Sequence, residues 1–139
     1  MRRPTRWLPL ALLCALGAIG CGDQSQQAAA PSNELPTFDD DRLMTGRALW
    51  NGTCRACHLL GVAGAPAVTD FAEWDLRLPK GREALYRSAL HGIPAEEEGK
   101  YRMPPQGGNP RLSEEQIRLA VDYKLAAIEA LRAAGQGRP

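Results

Sequence analysis

The feature that most constrains this chain is the five-residue stretch from Cys54 to His58, with the sequence Cys-Arg-Ala-Cys-His. Two cysteines three positions apart lie on the same side of a helical turn, so both sulfurs can reach one neighbouring group. Cys-x-x-Cys-His is the attachment pattern of c-type haem, in which Cys54 and Cys57 form thioethers with the two vinyl groups of one porphyrin. His58 then supplies the proximal ligand of the iron. The motif therefore predicts one covalently bound haem.

A redox-active cysteine pair and half of a zinc site are the other interpretations of this motif. A structural zinc site needs four ligands. Beyond the motif, the chain after residue 20 offers only Cys21 and His91 as further cysteine or histidine ligands. A thioredoxin-like motif is expected within a βαβ pattern, and the sequence around these cysteines contains none. Haem attachment is therefore the favoured interpretation.

Residues 1–20 predict an export signal of the lipoprotein type. Three arginines among the first six residues precede an apolar run over residues 7–19. That run fits the hydrophobic region of a signal peptide and is too short to span a bilayer as a fixed helix. Residues 18–21 (Ala-Ile-Gly-Cys) resemble a bacterial lipobox, which makes Cys21 the acylated first residue of a protein anchored on the periplasmic side of a membrane. The alternative is an ordinary secretory signal and a soluble periplasmic protein.

The rest of the chain divides by composition into three parts. Residues 21–37 are rich in Gln, Ala, Ser and Pro and predict a flexible tether behind the lipid anchor. Residues 38–135 suit one small domain, and residues 136–139 predict a disordered tail. Loss of the three signal arginines turns the formal net charge from +1 to −2. This balance excludes the basic footprint of a nucleic-acid-binding protein.

Hydrophobic periodicity and capping residues predict an all-α domain. The expected helices cover residues 41–51, 70–74, 80–91 and 113–134, with the last one opened by a capping box of Ser113 and Gln116. Gly52 is expected to end the first helix. Residues 93–112 are rich in Pro, Gly and charge and predict a loop, because no segment alternates convincingly as a strand.

The sixth position of the iron needs a second ligand. Met103 begins the run Met-Pro-Pro-Gln-Gly-Gly-Asn-Pro, in which the prolines fix φ and remove backbone donors. Such a rigid loop suits the weak bond between a thioether and ferric iron. His91 and Met44 are the alternatives, and Met44 is expected to pack in the core from the first helix. Met103 is therefore the favoured ligand.

The stretch from Gly46 to Tyr123 resembles a class I c-type cytochrome and is most similar to the cytochrome c5 group. The motifs that carry the resemblance are Cys-x-x-Cys-His, Gly-Ala-Pro at residues 64–66, and Met-Pro-Pro followed by glycines from residue 103. The resemblance implies about four helices around one haem. Some members of the c5 group carry an extra cysteine pair, which this chain lacks. The resemblance also implies that Gly46 and Trp50 on the first helix pack against the last helix near Ala120 and Tyr123.

The same resemblance implies several residues of a haem pocket. The carbonyl of Pro66 is expected to accept a hydrogen bond from the imidazole of His58, which would fix the ring and raise its donor strength. Trp74, Arg77 and Tyr86 are candidates for contacts with the haem propionates. Core packing is the alternative role for Trp74, and a solvated charge is the alternative for Arg77.

The function that follows is outer-sphere transfer of single electrons by a carrier that is not an enzyme. A Met sulfur and an apolar pocket favour Fe(II) and raise the potential relative to bis-His ligation. Redox partners are expected to dock transiently at the haem edge of a monomer, through a small interface. The lipid anchor on Cys21 would keep the carrier near membrane enzymes. The alternatives are a dedicated redox subunit of a periplasmic dehydrogenase or reductase, and a haem-based gas sensor or weak peroxidase with an open sixth position.

Overall fold

The computed structural model describes residues 34–95 and 101–136. Within them the chain forms five α-helices and two short strands: α1 (Asp41–Thr53), α2 (Arg55–His58), α3 (Phe71–Asp75), α4 (Arg82–His91), β1 (Ile93–Pro94), β2 (Tyr101–Met103) and α5 (Glu114–Ala133). The prediction of an all-α class is confirmed, because helices dominate this part of the chain. The predicted signal peptide, Cys21, most of the tether and residues 137–139 lie outside the described residues. Among the described helices, none has the length and apolar character needed to cross a membrane.

Helix α1 begins as its capping residue predicts but ends later than expected. The carboxylate of Asp40 accepts a hydrogen bond from the Leu43 N–H at 2.9 Å, which satisfies one free donor of the first turn. The predicted stop at Gly52 is wrong, since the helix continues to Thr53. The Cys54 N–H then donates to the Trp50 carbonyl at 2.8 Å, and helical hydrogen bonding runs on toward α2. The haem motif is therefore joined almost directly to α1.

Helices α1 and α5 cross at very close range and form the centre of the core. A Cβ atom on Gly46 would lie 2.2 Å from the Leu119 carbonyl oxygen, so only glycine permits this approach. Trp50 and Tyr123 are fully buried beside the crossing, with ring centroids 6.2 Å apart. The expected packing of the first helix on the last is confirmed.

The remaining helix ends follow local chemistry. Both hydrogen bonds of the Ser113–Gln116 capping box are present at the start of α5. Helix α4 begins at Arg82 rather than at the predicted Lys80, because residues 78–80 form a 3₁₀ turn. Gly92, with φ of +75°, ends α4. The prediction for the α5 N-terminus is therefore confirmed, and that for the α4 N-terminus is two residues early.

The segment predicted as a loop over residues 93–112 contains regular structure. Strands β1 and β2 pair antiparallel, with Ile93 opposite Met103. A 3₁₀ turn over Pro105–Gly108 follows. Two or three residues are too few to show an alternating pattern, which is why the sequence did not reveal these strands. A Cβ on Gly92 would lie 2.6 Å from the Met103 carbonyl oxygen, so this glycine lets α4 and the Met103 segment meet.

Residues before the predicted domain boundary at residue 38 pack against the core. Leu35 is buried in the core with Trp50 and Tyr123. The Tyr123 hydroxyl donates to the Pro36 carbonyl at 3.0 Å. The last residues assigned to a flexible tether are therefore a packed part of the domain, at least from Leu35 onward.

Candidate haem site

One cavity collects the predicted haem residues from distant parts of the chain. It has a volume of about 290 Å³ and is lined by Cys54, Cys57, His58 and Met103, together with apolar residues of α4 and α5. The Cys-x-x-Cys-His segment and the Met103 segment are far apart in sequence and meet only through the fold. His91 and Met44, the alternative ligands, are not among the residues that line this cavity.

The two motif cysteines lie on one helical turn and are not paired with each other. Cys54 caps α2, and its carbonyl accepts from the Cys57 and His58 N–H groups at 3.3 and 3.0 Å. Both thiols are free; Cys54 is half-buried and Cys57 is exposed. Burial raises the pKa of the Cys54 thiol. The charge of Lys124 lowers this pKa by a smaller amount, and Cys57 raises it slightly. Two free thiols on one cavity wall are the arrangement that a pair of thioethers requires.

His58 is held as a neutral imidazole with one ring nitrogen unprotonated. Its Nδ1 lies 2.9 Å from the Pro66 carbonyl oxygen. A carbonyl can only accept, so Nδ1 carries the proton and Nε2 keeps its lone pair. Burial, with the charge of Lys124 as a second cause, lowers the pKa of His58 to about 4. The imidazole is therefore ready to ligate a metal at neutral pH.

The chain between His58 and Pro66 folds back through unusual backbone conformations. Gly61 and Gly64 have φ of +79° and +77°, and Ala63 has φ of +54°. The Val68 N–H donates to the His58 carbonyl at 2.9 Å and closes this loop. A left-handed alanine costs roughly 1–2 kcal/mol, which the surrounding contacts must offset. This return loop places the Pro66 carbonyl on the imidazole, in agreement with the sequence expectation.

Met103 lies at the end of β2 and is held from both sides. Its strand pairs with Ile93 on β1, and Pro104 and Pro105 follow it directly. Beyond the prolines, the Asn109 side chain donates to the Thr53 hydroxyl at 3.3 Å, which ties the loop to the end of α1. The backbone at Met103 is therefore constrained on both sides of this residue.

The three candidates for propionate contacts differ in what their polar groups already bind. The Trp74 indole N–H donates to the Ala67 carbonyl at 2.6 Å, and Trp74 is buried in the core. Arg77 lines the cavity and forms an ion pair with Glu73 at 2.6 Å. The Tyr86 hydroxyl donates to Asp122, and Tyr86 does not line the cavity. The structure therefore brings Trp74 and Arg77 to the cavity and keeps Tyr86 outside its wall.

Lys124 is a cavity residue that the sequence reasoning missed. It lies on α5 with only 9 % of its surface exposed, and its Nζ is 4.3 Å from the centroid of the Trp74 ring. The signal was present, since Lys124 follows Ile117 by seven positions and precedes Ile128 by four. A lysine on the buried stripe of a helix is unusual enough to mark a site.

These side chains fit one covalently attached haem. The cavity offers two free thiols for thioethers, a neutral imidazole nitrogen and a thioether sulfur as iron ligands, and largely apolar walls. The indole N–H of Trp50, also on the cavity wall, is buried without a hydrogen-bond partner among the described residues. The donor set is that of a haem with His and Met axial ligands.

Comparisons with known proteins identify the relatives of this chain. The family described as "Cytochrome C oxidase, cbb3-type, subunit III" matches residues 41–123. Cytochrome c-555 of Prosthecochloris aestuarii is 35 % identical over 91 residues, which cover 62 % of this chain and 88 % of that protein. Cytochrome c5 of Ectopseudomonas mendocina is 36 % identical over 70 residues, which cover 49 % of this chain and 72 % of that protein. A chain in the solved structure "Crystal structure of electron transfer complex of nitrite reductase with cytochrome c" is 36 % identical, with a TM-score of 0.50, and the match covers 60 % of this chain and 94 % of that one.

Proposed function

This chain belongs to the cytochrome c family, whose small monohaem members carry electrons on one covalently bound haem c. We propose here which residues of this chain hold the haem and how the carrier works. Cys54 and Cys57 would hold the haem through two thioethers. His58 and Met103 would ligate its iron. The observation that carries the proposal is the single cavity lined by all four side chains.

The roles of the residues follow from their surroundings. When bound, the haem supplies an iron that alternates between Fe(II) and Fe(III). The hydrogen bond from His58 Nδ1–H to Pro66 fixes the ring plane and strengthens Nε2 as a donor. The uncharged sulfur of Met103 favours Fe(II), and its constrained loop keeps the sulfur in place. Because His58 and Met103 would both ligate the iron, no substrate would reach the metal, which supports a carrier rather than an enzyme.

The proposed docking surface lies beside the haem motif. Cys57 is exposed at the cavity, and Leu60 and Val62 are among the few large apolar side chains that the described surface exposes. A small apolar contact of this kind suits a redox partner that binds briefly and leaves. The related cytochrome solved in an electron transfer complex with nitrite reductase supports a redox enzyme as the partner. A carrier of this type works as a monomer in transient complexes.

A dedicated redox subunit of a larger oxidoreductase is the second candidate. The family that matches residues 41–123 is described as a subunit of an oxidase, and this description favours it. Purification from native membranes distinguishes the two functions. A free carrier elutes as a monomer, whereas a subunit elutes with a catalytic partner in fixed proportion.

Substitution of Met103 tests the ligand assignment. We expect Met103→Ala to retain covalent haem, to become high-spin, to lower the reduction potential and to bind carbon monoxide in the ferrous state, because its sixth position is open. Met44→Ala is the matched control, since Met44 lies on α1 away from the cavity. Absorption spectra with and without carbon monoxide measure both variants. An unchanged spectrum in Met103→Ala would overturn the assignment. A ferrous wild type that binds carbon monoxide would favour a gas sensor or peroxidase.

We also propose that Cys21 carries a lipid and anchors the domain on the periplasmic side of a membrane. The lipobox-like residues 18–21 and the polar residues that follow support this localisation. We expect Cys21→Ser to move the haem-containing protein from the membrane fraction to the soluble periplasmic fraction. Continued membrane association of Cys21→Ser would contradict the anchor and favour retention by a membrane partner.

A further inference from the structure

Lys124 lies in the haem cavity at a position where α5 otherwise presents apolar side chains. It shares the buried stripe of α5 with Ile117, Ala120 and Ile128. Its side chain is as buried as a core residue and lines the cavity together with Trp74 and Arg77. Nothing in the assignment of thioethers and axial ligands uses this amine.

The amine has no anionic partner among residues 34–95 and 101–136. The carboxylates of Asp122 and Glu73 already have partners, since Asp122 binds Arg82 and Tyr86, and Glu73 binds Arg77. Burial lowers the pKa of Lys124 to about 7; Cys54 raises this pKa by a smaller amount, and the positive charge of Arg77 lowers it further. The contact that stabilises the ammonium is the face of the Trp74 ring, 4.3 Å from Nζ.

A buried and unpaired ammonium destabilises a fold. Desolvation of an ion is unfavourable, and no carboxylate of the described residues forms an ion pair with Lys124 to offset that cost. An apolar residue at this position would pack against the same neighbours without the penalty. The cost therefore points to a role for the charge in the loaded protein.

We propose that Lys124 tunes the haem, and that its positive charge in the cavity wall raises the reduction potential. The proposal rests on the assignment of this cavity to the haem. Reduction adds one electron delivered by the redox partner, with no bond made or broken, so the net charge of the cofactor falls by one. A cation inside the same apolar pocket attracts that electron, and solvent and salt screen a buried charge much less than an exposed one.

Neutral variants of Lys124 test the effect of its charge. Lys124→Gln and Lys124→Leu remove the charge with different polarity, and neither introduces a good iron ligand. Arg87→Gln is the matched control, because Arg87 is an exposed cation on α4 that does not line the cavity. Spectroelectrochemical titration of the holoproteins at pH 6, below the lowered pKa of Lys124, gives each midpoint potential. At the wild-type midpoint, we expect the ferrous-to-ferric ratio of both Lys124 variants to fall about tenfold, which corresponds to 59 mV for one electron.

A second measurement separates tuning from simple packing. We expect urea denaturation to show that Lys124→Leu is more stable than the wild type, because the unpaired buried charge is gone. If Lys124 tunes the haem, Lys124→Leu should have a lower reduction potential and a higher stability than the wild type. If Lys124 has only a structural role, the substitution should change the stability and leave the reduction potential unchanged.

Two results would overturn the proposal. One is a wild-type potential in Lys124→Gln and Lys124→Leu, and the other is an equal shift in Arg87→Gln, which would indicate general surface charge. Both results presuppose covalent low-spin haem, so the assignment of Cys54, Cys57, His58 and Met103 would stand. A wild type without covalent haem, or with a high-spin spectrum, would instead contradict that assignment itself.

Discussion

Replacement of Gly46 by alanine probes the contact on which the fold depends. A Cβ at this position would lie 2.2 Å from the Leu119 carbonyl oxygen, 2.9 Å from its carbon and 3.0 Å from the Tyr123 Cβ. The first two are backbone atoms and cannot rotate away. Helix α1 must therefore move back from α5 by about 1 Å to restore ordinary contact distances. That movement loosens the packing of Trp50 against Tyr123.

The size of the effect follows from two opposing contributions. Alanine is favoured over glycine by about 1 kcal/mol in a helix interior. Overpacking costs typically about 1–3 kcal/mol, and the upper end applies at Gly46 because backbone must shift. The net effect is a loss of about 2 kcal/mol of unfolding free energy. For a domain of this size, that corresponds to a decrease in melting temperature of about 8–16 °C.

Gly52→Ala on the same helix is the matched control. A Cβ on Gly52 meets no atom within 4 Å, so only the helix preference remains. We expect Gly52→Ala to gain about 0.5–1 kcal/mol. Urea denaturation of both holoproteins, followed by far-UV circular dichroism, measures the difference of about 3 kcal/mol. If Gly46→Ala proves as stable as Gly52→Ala, the close crossing of α1 and α5 is wrong.

Three further predictions concern other contacts. Tyr123→Phe removes the 3.0 Å hydrogen bond to the Pro36 carbonyl and should lower the unfolding free energy by about 1 kcal/mol. Hydrogen exchange at residues 34–37 should become faster, and unchanged exchange would contradict the packed start of the domain. Ser113→Ala removes the capping box and should cost about 1 kcal/mol in urea denaturation, and no loss would mean that α5 does not need its cap. The pKa of Lys124 is lowered from 10.5 to about 7, so the folded state binds fewer protons than the unfolded state between these values. Wild-type stability should therefore rise with pH through that window relative to Lys124→Gln, and a constant difference would contradict the lowered pKa.

Local sequence patterns predicted the haem motif and most helix ends. Cys54, Cys57 and His58, the proposed thioether residues and iron ligand, lie within five residues, so their spacing alone predicts the chemistry. The capping box at Ser113 likewise depends on residues three positions apart. Met103 was identified as a candidate ligand because its prolines restrict the backbone locally. Interactions between residues three to five positions apart can be predicted from the sequence, because few other residues are close enough to replace either partner.

Local patterns failed where a tertiary contact opposed or replaced them. Gly52 was expected to end α1, but the helical hydrogen bonds continue toward Cys54. Residues 34–37 have the composition of a linker, yet Leu35 is buried and Pro36 binds Tyr123. The pairing of β1 with β2 depends on a contact between strands too short to show a pattern of their own.

One covalent haem could be predicted from the sequence alone, because the proposed attachment residues Cys54 and Cys57 are close together along the backbone. The surroundings of the proposed haem site depend on contacts that form only in the folded chain. The tertiary structure places the Pro66 carbonyl on His58, brings Met103 to the same cavity and buries the charge of Lys124 in the cavity wall. These relations join residues far apart in the chain, and they form only when the helices and the Met103 segment pack around one cavity.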